Sequence, residues 1–195
     1  MSKSLPPFLA CLLAAFVLSA GHAPARAQDK DSATQPPAVT KQPTRQNLFQ
    51  AVLAFMEKDD WKPAQIPGKT VLRAYFKGSN EFWMVIVNVR EPARQVAVYS
   101  IPQDKVPPAL RTAAAEYITR ANYGLNIGNF EMDFEDGEIR FKTSIDLEGG
   151  ILTDKMIANL LGANCLIFDK YLPGLRQVLA GKPPLEIIKA IEGKK

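Results

Sequence analysis

Two hydrophobic periods alternate along the chain and mark its elements. Leu48, Val52, Phe55 and Met56 fall on one stripe at helical spacing, which predicts a helix over 45–59, with Thr44 or Asn47 placed to cap it. Pro63 ends that pattern, and Pro67-Gly68 reads as a turn. The period then changes to two. Leu72, Ala74 and Phe76 share one face of a strand over 70–77. Gly78-Ser79-Asn80 turns the chain into a second strand over 81–90, apolar on both faces and so expected to be central and at least partly covered on both sides. A third strand spans 95–101. The short connections imply an antiparallel meander.

Pro108 opens a second helix over 108–121, carrying Leu110, Ala114, Tyr117, Ile118 and Ala121. Asn122-Tyr123-Gly124 reads as its exit, with a left-handed residue at the end. Next comes the clearest hairpin signal: an alternating run over 125–134, then Asp136-Gly137, then Ile139, Phe141, Thr143, Ile145 and Leu147 at period two. Phe130, Met132 and Phe134 join that second set as expected core. The longest helix starts at Thr153-Asp154 and runs to about 172, burying Ile157, Leu160, Leu161, Asn164, Phe168, Tyr171 and Leu172. Pro173-Gly174 is expected to break or kink it. Pro183-Pro184 begins a short terminal helix over 185–191. The element order α-β-β-β-α-β-β-α predicts an α+β fold, an antiparallel sheet of about five strands flanked by helices.

The N-terminus changes the inventory. Lys3, an apolar run over 8–20 and Ala25-Arg26-Ala27 read as a Sec-type signal peptide over 1–27, with cleavage after Ala27. The apolar run is shorter than the roughly 20 residues of a membrane-spanning helix. A polar, proline-bearing linker follows over 28–44, and one domain occupies 45–192. Losing Lys3 and Arg26 from 24 basic residues leaves 22 against 20 acidic ones, so the net charge falls from +4 to +2. That balance is no nucleic-acid footprint. His22, the one histidine, and Cys11 leave too, so Cys165 remains alone. A histidine-dependent triad, a histidine zinc site and an internal disulfide are thereby excluded from the mature chain. Cys165 sits in an apolar helical segment and reads as core.

The candidate chemistry is thin. Glu131, Asp133, Glu135, Asp136, Glu138, Asp146 and Glu148 form an acidic cluster around the hairpin. Carboxylates of this kind serve glycoside hydrolysis or calcium binding, but the spacing does not fit a calcium loop. Glu131 and Asp133 alternate with apolar residues, the pattern of a solvated sheet face. Gly124 to Gly128 lacks the lysine of a phosphate loop. No catalytic set, cofactor site or metal site is assigned. The residues singled out for a partner or ligand are Trp83, Tyr99, Asn122, Tyr123 and Asn164: aromatics for a groove, a buried amide on an apolar stripe, and the helix exit.

Several segments together resemble the YbjN domain family, a bacterial group sometimes labelled sensory-transduction regulators. They are Asn122-Tyr123-Gly124, Gly128-Asn129-Phe130-Glu131, Asp136-Gly137-Glu138-Ile139-Arg140, Thr143-Ser144-Ile145-Asp146, Leu152-Thr153 and Tyr171-Leu172-Pro173-Gly174-Leu175. The element order extends the resemblance over 45–180, while the motifs cover 122–175. The resemblance implies a type III secretion chaperone-like α/β sandwich and a non-enzymatic binding or adaptor role, with no catalytic residues. Family members are often cytosolic, and the signal peptide here is a departure. The expected function is an exported binding protein for a protein or peptide partner, with a homodimer considered. The alternative is a small-molecule or lipid carrier with a pocket between sheet and helices.

Overall fold

A computed structural model of the protein describes residues 45–193. The expected signal peptide and linker lie outside the described residues. The elements are α1 (Leu48–Lys58), β1 (Ala64–Gln65), β2 (Val71–Lys77), β3 (Phe82–Arg90), β4 (Gln95–Ile101), a 3-10 turn (Pro108–Leu110), α2 (Arg111–Tyr123), β5 (Asn129–Met132), β6 (Ile139–Asp146), α3 (Asp154–Leu179) and α4 (Pro184–Glu192). All strand pairs are antiparallel, in the order β1-β2-β3-β4-β6-β5.

Strand parity decides which face is core. Leu72 and Ala74, then Trp83, Val85, Val87 and Val89, then Val96 and Val98, then Phe130, Ile139 and Phe141 are buried. Their neighbours in sequence are not. The described helices therefore cover one face only, in contrast to the two-sided cover expected for β3. The buried face meets α3 through rings: Phe168 packs edge-on to Trp83 with centroids 5.0 Å apart, and Tyr171 packs edge-on to Phe130 at 5.8 Å. These rings fill the space between sheet and helix where a carrier pocket was considered.

A buried polar network pins α3 over the β4–β6 seam. Trp83 Nε1 donates to Ser100 Oγ (2.8 Å), and Ser100 Oγ donates to Asn164 Oδ1 (2.7 Å). Asn164 Nδ2 donates to the Val98 and Phe141 carbonyls and to Thr143 Oγ1. Thr143 in turn donates to the Leu160 carbonyl of α3. Every polar atom of Asn164 is paired, as a wholly buried amide requires.

Pro173 does not end α3, contrary to the expected break. A proline has no N–H for the carbonyl four residues earlier, which here belongs to Asp169. Asn80 Nδ2 supplies the missing donor to that carbonyl at 3.1 Å. The Asp169 carboxylate also accepts from the Ser79 and Asn80 amides. Burial raises its pKa, but these hydrogen bonds outweigh burial and lower it. Gly174 next door lets α2 and α4 approach; a Cβ there would lie 2.2 Å from Ile191 Cδ1 and 2.4 Å from Tyr117 Oη.

Three other expectations change. The Asp-Gly turn is a four-residue loop over 134–137: beyond the Met132–Ile139 pair Asp133 N donates to Glu138 O, Gly137 N donates to Asp133 O, and Gly137 adopts φ +79°. Phe134 is therefore in the loop and 56% exposed rather than core. Gly124 ends α2 with φ −94°, so no left-handed cap forms. A sixth strand, β1, lies beside β2; two residues between Pro63 and Pro67 carry no readable period.

The start of the domain is clamped. Gln46 exchanges two side-chain hydrogen bonds with the Leu152 backbone, and Glu91 accepts from Phe49 N near the start of α1. Buried Arg94 reaches the Gln46 carbonyl at 2.7 Å and the Gly150 carbonyl at 3.2 Å. Asn47 caps α1 and Thr153 caps α3.

Candidate binding face

The face away from the helices is built by the alternate strand positions. The register places Tyr75, Met84 and Ile101 in one row, and Arg73, Ile86, Tyr99, Lys142 and Asn129 in the next. Val71, Asn88, Ala97 and Ser144 form a third row. Tyr75 and Phe82 are about half exposed and stack at 5.2 Å with rings only 8° from parallel. No described helix packs on these side chains. A strip of aromatic and aliphatic groups thus runs along β2, β3 and β4, exposed at Tyr75 and Phe82 and half-buried at Met84, Ile86, Tyr99 and Ile101.

Charge frames the strip unevenly. Glu131 is bound by Lys142 and by Arg140, the latter at 2.8 Å. Burial raises the Glu131 pKa, but hydrogen bonds from Lys142, Arg140 and Asn129 outweigh it and hold the carboxyl below its ordinary value. The Arg140 guanidinium lies 4.7 Å from the Tyr99 ring centroid. On the other side of the strip, Arg73 and Lys77 make no ion pair among the described residues, and Arg90 meets only the neutral Gln95 side chain. Two shallow cavities open on this face. One of about 240 Å³ is floored by Asn88, Ala97, Tyr99 and Ser144; one of about 320 Å³ is lined by Tyr75, Met84, Ile101 and Lys105.

The residues singled out from sequence divide. Tyr99 lies on the open face, half-buried beneath Arg140. Trp83 belongs to the core face, although it contributes to the wall of the larger cavity. Asn164 is interior, with its amide spent on the network. Asn122 lies across the outer edge of β5: its Oδ1 accepts from Phe130 N at 2.7 Å and its Nδ2 donates to Phe130 O at 3.1 Å. It stands in for a neighbouring strand and closes that sheet edge. Tyr123 is 93% exposed at the end of α2, away from the others. These five residues do not form one site.

The acidic cluster is also dispersed. Asp133, Asp136 and Asp146 each accept a backbone N–H two residues ahead, and Asp136 also pairs with Lys105. Such bonds stabilise turns. No metal-binding group of three or more acidic, histidine or cysteine side chains occurs among the described residues. No described helix is long and apolar enough to cross a membrane. Burial pushes the Cys165 thiol up to about 12. Sequence reasoning missed Met84, Ile86 and Ile101; the available signal was the second apolar face of β3, read there as covered.

No family model matches the sequence, and no curated protein matches it. Among solved structures, the fold is similar to the crystal structure of YbjN from E. coli, with a TM-score of 0.50 at 9% identity, covering 70% of this chain and 90% of that one. The HopA1-SchA chaperone-effector complex also contains a similar chain, with a TM-score of 0.40 at 13% identity, covering 63% and 91%. The protein has a YbjN-like α+β fold.

Proposed function

We propose that this chain is an exported, non-enzymatic binding domain that holds a protein or peptide partner on the open face of its sheet. One observation carries the reading: Tyr75, Phe82, Met84, Ile86, Tyr99 and Ile101 form a continuous apolar strip that no described helix covers. A contiguous apolar surface that is in part exposed and is rimmed by charge is the usual mark of an interaction site. The composition of the mature chain supports the non-enzymatic part, since histidine is absent and the acids serve turns and ion pairs. The Lys3-to-Ala27 pattern supports export. A homodimer through this face is the narrower form of the same reading.

The test is a pull-down from the exported fraction of the native host with wild-type bait and an Ile86→Glu variant. Ile86 is half-buried on the face away from the core, so the variant should keep the wild-type circular dichroism. The proposal expects a discrete protein retained by wild type and lost with the variant. Retention of the same proteins by both baits would refute it. Intact mass of the exported protein should begin at Gln28; a mass including residues 1–27 would contradict cleavage.

A further inference from the structure

The edge of the sheet at β2 is only half closed. Val89 N donates to Thr70 O and Gly78 N donates to Glu81 O, so even-numbered residues of β2 turn their backbone groups toward β3. Odd-numbered residues turn theirs outward: Val71 O accepts from Ile66 N, and Arg73 lies opposite Ala64 of β1. β1 stops there. Pro63 has no N–H to extend the ladder, and the chain turns at Lys62 (φ +49°) and Asp60 (φ +60°), so that Asp59 to Trp61 flank a cavity beside Tyr75, Phe76 and Lys77 instead of continuing the strand. Among the described residues, the outward N–H and C=O of Tyr75 and Lys77 are left without a strand beside them.

We propose that this free half-edge takes up a short extended segment of the partner polypeptide, added as a strand in line with β1. This rests on the binding reading above and names how the partner is held. Unpaired strand groups are a template for another strand, with backbone bonds giving affinity and alternate side chains giving specificity. About four residues fit beside Ala74 to Lys77. The pleat sends alternate side chains of the added strand to the two faces. Those on one side meet a cavity of about 280 Å³ formed with Trp61 and Phe76, whose rings lie 5.6 Å apart. The two acids of that cavity are engaged, Asp59 with Trp61 Nε1 and Asp60 with Lys62, so an apolar residue suits it. Those on the other side meet Tyr75, Lys77 and Arg73. The two cations lack ion pairs, so an acidic residue suits that side. A second copy of this chain fits poorly: it would bring Lys77 and Arg73 against the same cations, and β1 already occupies the edge beside Leu72 and Arg73.

The test uses the exported protein, ¹⁵N-labelled, with two fluorescein-labelled decapeptides of alternating valine and glutamate or alternating valine and lysine. The glutamate peptide should bind and slow hydrogen exchange at the Tyr75 and Lys77 amides by about tenfold or more. Lys77→Pro removes one outward N–H and leaves the bonds to β3, so it should weaken binding by about tenfold. Lys77→Glu, which demands nothing of the backbone, should reverse the preference toward the lysine peptide. Binding that leaves both amides unprotected and survives Lys77→Pro, but is lost with Ile86→Glu, would overturn strand addition and leave the open-face reading standing. No binding of either peptide by a protein that still retains its host partner would also overturn the edge. A peptide-free dimer that protects the same amides would make the occupant a second copy and overturn the assignment to another polypeptide.

Discussion

Replacing Asn164 by alanine tests the claim that one amide fastens α3 to the sheet. The change removes Oδ1, the acceptor of the Ser100 hydroxyl proton, and leaves that hydroxyl only the weakly accepting Cys165 sulfur, at a cost of about 1–3 kcal/mol. The Val98 and Phe141 carbonyls and Thr143 Oγ1 lose one partner each; Thr143 keeps its bond to Leu160 O. Three heavy atoms also vanish from a site with no solvent exposure, leaving a void that adds to the loss. The sum is about 3 kcal/mol, or about 6–12 °C in melting temperature for a domain of this size. Thermal melts followed by circular dichroism and tryptophan fluorescence would measure it. Ser100→Ala leaves Trp83 Nε1 without its acceptor in either background, but the double variant no longer contains the hydroxyl that Asn164→Ala orphans, so the two effects should fall short of additive by a coupling of about 1 kcal/mol. A single variant melting within about 2 °C of wild type, or fully additive effects, would refute the reasoning.

Three further outcomes follow from particular contacts. Gly174→Ala should lower stability in urea by about 1–2 kcal/mol despite alanine's better helix propensity, since its Cβ collides with Ile191 and Tyr117; a gain in stability would contradict the packing described. Glu131 has a depressed folded-state pKa, so its contribution is present above its ordinary value of 4.5 and is lost as pH falls through the lower folded value. The stability gap between wild type and Glu131→Gln should therefore be full at neutral pH and close below pH 4.5, and a gap that widens on acidification would reverse the sign. Cys165 is 2% exposed with a thiol raised to about 12, so iodoacetamide at pH 8 should label it in urea and leave the native protein unmodified.

Much of the fold was legible because it rests on local periods. The stripe of Ile157, Leu161, Asn164 and Phe168 identified the core face of α3, and β4 emerged with its observed limits. What sequence could not supply were contacts between distant residues. Pro173 reads as a break unless Asn80 is known to bond the Asp169 carbonyl. Phe134 reads as core while the turn is placed at Asp-Gly, because a four-residue loop changes which residues still belong to the pleat. The candidate face was hidden by an ambiguity of composition: Met84 and Ile86 look buried whether a helix or a partner covers them. Asn122 was noticed for its place at a helix exit, yet its work is at the β5 edge, a pairing across the fold that no spacing announces.

Photo-cross-linking in the native host tests the central claim most directly. A benzophenone amino acid at Ile86, on the open strip, should capture one discrete protein, while the same group at Lys155, exposed on α3, should not. The same species captured at Lys155 and nothing captured at Ile86 would contradict binding at the open face.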